Sequence, residues 1–157
     1  MSLSDILASI EGLPHVRFLT QNSVAYPAVS ALHLFGIALV FGAIVPVDLR
    51  LLRMLGAQFD PVLPTLVRTA LIGFAIAATS GLLLASIRIL DYAQNPAFLI
   101  KMVILLSAGA NAFVLRIRSG SRHVENTIGR TACIAAAAMS LGLWTSAVLA
   151  GRWIAFV

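Results

Sequence analysis

Four stretches of about twenty residues, each nearly free of charge, decide what this chain can become. They fall at about residues 25–47, 66–90, 96–115 and 131–150. A helix of that length reaches across the roughly 30 Å hydrocarbon core of a bilayer. Lipid offers no partner to backbone amides, so an apolar run must satisfy its own, and a helix does so. The sequence therefore predicts an all-α chain: an integral membrane four-helix bundle forming one four-span domain over residues 1–157. Composition agrees. The chain is 60% hydrophobic and 11% charged, against roughly 25% charged in a soluble domain.

Local signals place the ends. Pro27 falls in the first turn of span 1, where a missing N–H costs little. Asp60-Pro61 and Asn95-Pro96 each read as an N-cap followed by proline, and so as helix starts for spans 2 and 3. Pro64 makes the first turn of span 2 irregular. Leu3, Ile6, Leu7 and Ile10 share one helical face, which predicts a short N-terminal helix lying in the interface and ended by Pro14. Met1 to Gly12 lacks the basic and apolar regions of a signal peptide, so the first span is expected to direct insertion.

The eleven Lys and Arg residues flank the apolar runs and form no basic stripe, so nucleic acid is not an expected partner. The loops after spans 1 and 3, with their flanks, hold Arg50, Arg53, Arg68, Arg116, Arg118, Arg122 and Arg130. The other side holds Arg17, Arg88, Lys101 and Arg152. The positive-inside rule puts the first set in the cytoplasm and both termini outside. The lipid bilayer is the implied partner, and a homo-oligomer or a redox partner protein is left open.

Three histidines are present, and His33 is the one inside a span. An ionisable group at that depth faces the protein interior and has a partner. Ser30 and Gly36 are its small neighbours on the same helical face and leave room beside the imidazole. Threading places Arg88, Lys101 and Arg152 on a rim above it, with Trp144 arriving on span 4. His33 is then a cofactor or metal ligand, a core histidine bonded to a serine or carbonyl, or a proton-handling group. Near the other end Asp48 lies among Arg50, Arg53, Arg68, Asn111 and Arg116, and is read as an interhelical ion-pair lock, with a proton or ion gate as the alternative. Gly73, Ala77 and Gly81 on span 2, and Ala135, Ala138 and Gly142 on span 4, mark close packing within the bundle or across a dimer. Cys133, the single cysteine, is a small packing residue. No phosphate-binding glycine loop, nucleophile elbow or zinc-spaced Cys/His pair occurs.

The run Ala25-Tyr26-Pro27-Ala28-Val29-Ser30-Ala31-Leu32-His33-Leu34-Phe35-Gly36, with the exit Asp48-Leu49-Arg50-Leu51-Leu52, resembles a bacterial family of four-helix membrane proteins. The segment from Lys101 to Arg116, with Asn111, also looks like that family. More distantly, the first helix is similar to the CopD-type copper-resistance membrane domain and to the HemJ-type protoporphyrinogen oxidase. The oxidase resemblance implies haem b, an essential histidine in an early helix and a required lysine in a later one. His33 and Lys101 are the matching positions. The oxidase family's further tyrosine and histidine pattern after the first helix is missing here.

The expectation that follows is a bacterial inner-membrane protein that binds haem b through His33, near the periplasmic face, in a redox or electron-transfer role. Gly36 would flank the ring, Arg88 and Lys101 would meet its carboxylates, and Ser30 or a carbonyl would accept from the imidazole. Copper handling is the alternative, with Met102 and Met139 as soft ligands beside His33. A non-catalytic subunit of a larger membrane complex is the third reading.

Overall fold

The computed structural model describes residues 3–119 and 130–154, with side chains for residues 5, 7–115 and 131–154. Seven α-helices account for most of it: α1 (Leu3–Glu11), α2 (Pro14–Gln21), α3 (Ala25–Leu51), α4 (Leu63–Ala85), α5 (Ile89–Gln94), α6 (Pro96–Ser119) and α7 (Arg130–Trp153). Two 3-10 turns, Ala57–Val62 and Ser86–Arg88, lead into and out of α4. There is no strand among the described residues. The four expected spans correspond to α3, the continuous helical stretch Ala57–Gln94, α6 and α7, all long and apolar enough to cross a membrane.

The sorting of side chains is that of a membrane protein. Large apolar groups such as Leu34, Phe35, Leu82, Val103, Leu106 and Leu149 point outward, while the buried positions include Ala43, Ala108, Ala137, Asp48, Ser80 and Ser140. With lipid as the outer solvent, large apolar groups gain nothing by hiding, and small residues let helix backbones approach.

The contacts divide the described chain into two compact units. The first comprises residues 1–41 and 68–95. The sequence predicts one interfacial helix ended by Pro14. Instead, α1 gives way at Gly12 and Leu13, and Pro14 opens α2. A proline at the first helical position loses no hydrogen bond, so the same residue stops one helix and starts the next. Val16 and Leu19 of α2 are buried, and α1 packs on α5. Glu11 Oε1 accepts from the Leu90 amide at 3.2 Å, tying α1 to the start of α5. Asn22 Oδ1 takes the amides of Val24 (3.0 Å) and Ala25 (3.2 Å), supplying acceptors at the start of α3.

The second unit comprises residues 42–67 and 96–157. Its framework is an antiparallel α6–α7 pair, in which Ala97 and Ala108 of α6 and Cys133, Ala137, Ser140, Trp144 and Ala147 of α7 are buried. The stripe Ala135, Ala138, Gly142, read from the sequence as a packing face, lies on the exposed side of α7. Gly142 has nothing within 4 Å of a built Cβ. Asn95-Pro96 does open α6. Asp60 does not cap span 2: it lies in the 3-10 turn Ala57–Val62 and grips Arg50 through Nε at 2.6 Å and Nη2 at 3.1 Å.

The end of α3 closes in a Schellman arrangement, with Met54 N bonded to Leu49 O at 2.9 Å and Arg53 N to Arg50 O at 3.0 Å. This motif needs a left-handed residue, and Arg53 fills it at φ 63°. A side chain there is strained, and glycine is the usual occupant. Arg53→Gly removes the left-handed penalty against glycine's entropic cost and the loss of the arginine's own interactions, so it is expected to raise stability by no more than about 1 kcal/mol. Thermal unfolding in detergent measures it.

Candidate functional site around His33

The site begins with a helix crossing inside the first unit. A Cβ built on Gly36 would lie 2.6 Å from the Ala77 amide nitrogen and 2.9 Å from Gly73 O. One on Gly73 would lie 2.7 Å from Leu39 Cβ and 2.8 Å from Val40 N. The antiparallel helices α3 and α4 therefore touch backbone to backbone here, as the Gly73–Ala77–Gly81 spacing predicts.

One turn before Gly36, His33 enters the same seam. Its Nδ1 lies 2.8 Å from Ala77 O and 3.2 Å from Ser80 Oγ. A carbonyl oxygen accepts and never donates, so Nδ1 carries the proton. Ser80 directs its own hydroxyl back to Ile76 O at 2.5 Å, leaving a lone pair that shares the His33 proton. In the neutral ring Nε2 is then the basic nitrogen. A Cβ on Gly81 would come within 2.8 Å of His33 Cε1 and 3.2 Å of Nδ1. The imidazole thus rests on the bare backbone of α4, and the third member of the glycine stripe is its seat. Ser80 is 1% exposed. The spacing on span 2 marks Ala77 as a packing residue but not as the acceptor for His33, and Ser80 carries no signal in the sequence.

The other expected residues fall as follows. Ser30 lies one turn ahead of His33 on α3 and is half-buried. Gly36 is not an open slot, because the backbone of α4 fills its face. Arg88 turns to Asp91 at 2.7 Å, both largely exposed, so its charge is answered locally. Lys101, Met102, Trp144 and Met139 belong to the second unit. There the Lys101 stem lies against Gly151, with Nζ 3.2 Å from a built Cβ. Gly151 is in the last turn of α7, where unpaired carbonyls and the helix dipole favour a cation. Trp144 is buried and Met102 half-buried, whereas Met139 is exposed.

The Asp48 lock takes a different form. Asp48 hydrogen-bonds Ser140 of α7, and Arg50 is committed to Asp60. A fork of two parallel N–H bonds to one carboxylate outcompetes a single longer reach. Arg68 belongs to the first unit, and the side chain of Arg116 lies outside the described residues.

For haem, the residues present fit in one respect and fail in another. A carbonyl-bonded Nδ1 is what an axial imidazole needs behind it, and His33 has that. The Gly36 face fails as a ring slot. For copper, no group of three His, Cys, Asp or Glu side chains among the described residues could hold a metal ion. Comparison of the chain with protein-family models, curated proteins and solved structures finds no match.

Proposed function

We propose that this multi-pass membrane protein binds haem b through Nε2 of His33 and serves in electron transfer, with His33 toward the periplasmic side of a bacterial inner membrane. One observation supports the reading: an intramembrane histidine whose Nδ1–H is held by Ala77 O at 2.8 Å, which presents Nε2 as the base. When bound, haem b supplies one-electron redox chemistry. The chain's part is to hold and tune the ligand. Ala77 O fixes the tautomer, with the proton on Nδ1 and the lone pair on Nε2. Ser80 steadies the same proton, and Gly81 gives the ring a flat seat without a competing side chain. The copper reading gains no support from exposed Met139, and a non-catalytic subunit is what a colourless protein would indicate.

Two measurements test the proposal. The purified protein from haem-supplemented cells should show a Soret band, and a colourless, well-folded, metal-free protein would end the haem reading. A C-terminal alkaline phosphatase fusion should be active, because the arginine-rich segments after α3 and α6 are expected in the cytoplasm. An inactive fusion paired with an active cytoplasmic reporter would reverse the orientation.

A further inference from the structure

The second unit has its own buried polar centre at the end of α3. Asp48 is 2% exposed and Ser140 3%, and the two side chains are hydrogen-bonded. Asp48 Oδ2 has no hydrogen-bond partner among the described residues. A serine inside a helix ordinarily returns its hydroxyl to the carbonyl one turn back. For Ser140 that carbonyl is Ala136 O, which the Ser140 amide uses in the helix ladder and which Asn111 Nδ2 also takes at 3.0 Å. With both lone pairs of Ala136 O engaged, the Ser140 hydroxyl is released to Asp48. Asn111, itself buried, thus sets the donor that faces the carboxyl group.

Among the described residues, no positive charge is bonded to the centre. On α3, Arg50 is bound to Asp60 of the Ala57–Val62 turn. The buried face of α7 (Cys133, Ala137, Ser140, Trp144 and Ala147) carries no charge. On α6, the side chain of Lys101 lies against Gly151, eleven residues along α7 from Ser140. Arg53, just past α3, is exposed, and the side chains of Arg116, Arg118, Arg122 and Arg130 lie outside the described residues. A carboxylate taken out of water without a counter-charge is costly and draws a positive ligand. One carboxylate and one hydroxyl suit a single charge on a hard, oxygen-seeking ion and are too few for a divalent one.

We infer that Asp48 and Ser140 form a binding site for a monovalent cation, a proton or a sodium ion, held at Asp48 Oδ2. The inference is independent of the haem reading, and its test contains no haem measurement. The purified full chain is unfolded thermally in detergent, in choline chloride and in sodium chloride at equal ionic strength, and across neutral to mildly acidic pH. If the site takes sodium, the midpoint rises with sodium. If it takes a proton, sodium has no effect and the midpoint rises as pH falls. A cation at ten times its dissociation constant stabilises by about 1.4 kcal/mol, a rise of roughly 3–6 °C for a chain of this size. Asp48→Asn should abolish the cation response, and Ser140→Ala should move it to higher cation concentration. Should Asp48→Asn fail to fold, Ser140→Ala decides alone. A wild-type midpoint indifferent to both cations, or a response unchanged in the variants, overturns the site.

Discussion

Gly36→Ala is expected to destabilise the protein although it adds a single methyl group to a helix. Alanine is the better helix former, by about 0.5–1 kcal/mol, so an isolated helix would gain. Here the new Cβ would stand 2.6 Å from Ala77 N and 2.9 Å from Gly73 O. Neither atom can step aside, because both are helix backbone. The helices must separate, which loosens Gly73 against Val40 and lengthens the His33–Ala77 bond one turn away. Overpacking of this kind costs roughly 1–3 kcal/mol, and the absence of any flexible neighbour puts Gly36 at the upper end. Gly109→Ala and Gly142→Ala are the controls, since nothing lies within 4 Å of a Cβ at either position. Those two should be neutral or stabilising by up to about 1 kcal/mol. Thermal unfolding of the three variants in one detergent should therefore show opposite signs. Equal effects at Gly36 and Gly142 would mean that the α3–α4 crossing is not as close as described.

The second large effect belongs to His33, where two roles must be separated. The ring clasps α3 to α4, and in the proposed function it also ligates iron. His33→Ala removes both. The clasp itself is modest, because an interhelical hydrogen bond in a membrane protein is worth about 0.6 kcal/mol and at most about 1.7. The lost ring volume above Gly81 adds a cavity term, so a total of roughly 1–3 kcal/mol is expected. His33→Gln is the discriminating change. Its amide N–H can still donate to Ala77 O, but it supplies no imidazole nitrogen. The glutamine variant should approach wild-type stability and still lose the cofactor. Gly81→Ala tests the seat from the other side. It keeps His33 but pushes a Cβ to within 2.8 Å of Cε1, so it should weaken cofactor retention through ring displacement.

The sequence made the spans legible because a run of about twenty apolar residues has few other fates. The stripe Gly73–Ala77–Gly81 was legible for a similar reason: small residues at four-residue spacing line one face. Gly36 was harder. A glycine reads the same whether it faces a cavity or a neighbouring backbone, and only the fold shows that α4 occupies its face. Asp60 misled through a local signal, since Asp-Pro resembles a helix start until Arg50, ten residues earlier, takes the carboxylate. Asp48 was legible only in part. Its nearness to arginines suggests an ion pair, whereas the bond among the described residues comes from Ser140, far along the chain. The hydroxyl is available because Asn111 occupies Ala136 O, and no reading of adjacent residues reveals that chain of cause. For α2 the obstacle was proline's double meaning, as the residue that stops a helix also suits the first position of the next.

The central claim is that His33 carries the cofactor, and haem content per polypeptide tests it most directly. Wild type, His33→Gln and His33→Ala would be purified from haem-supplemented cells, checked for monodisperse folding, and assayed by pyridine haemochrome. The account predicts stoichiometric haem b in wild type and a loss of at least about tenfold in both variants, with His33→Gln folded as well as wild type. Haem retained in His33→Gln, or none in well-folded wild type, would contradict it and leave His33 as a clasp between α3 and α4.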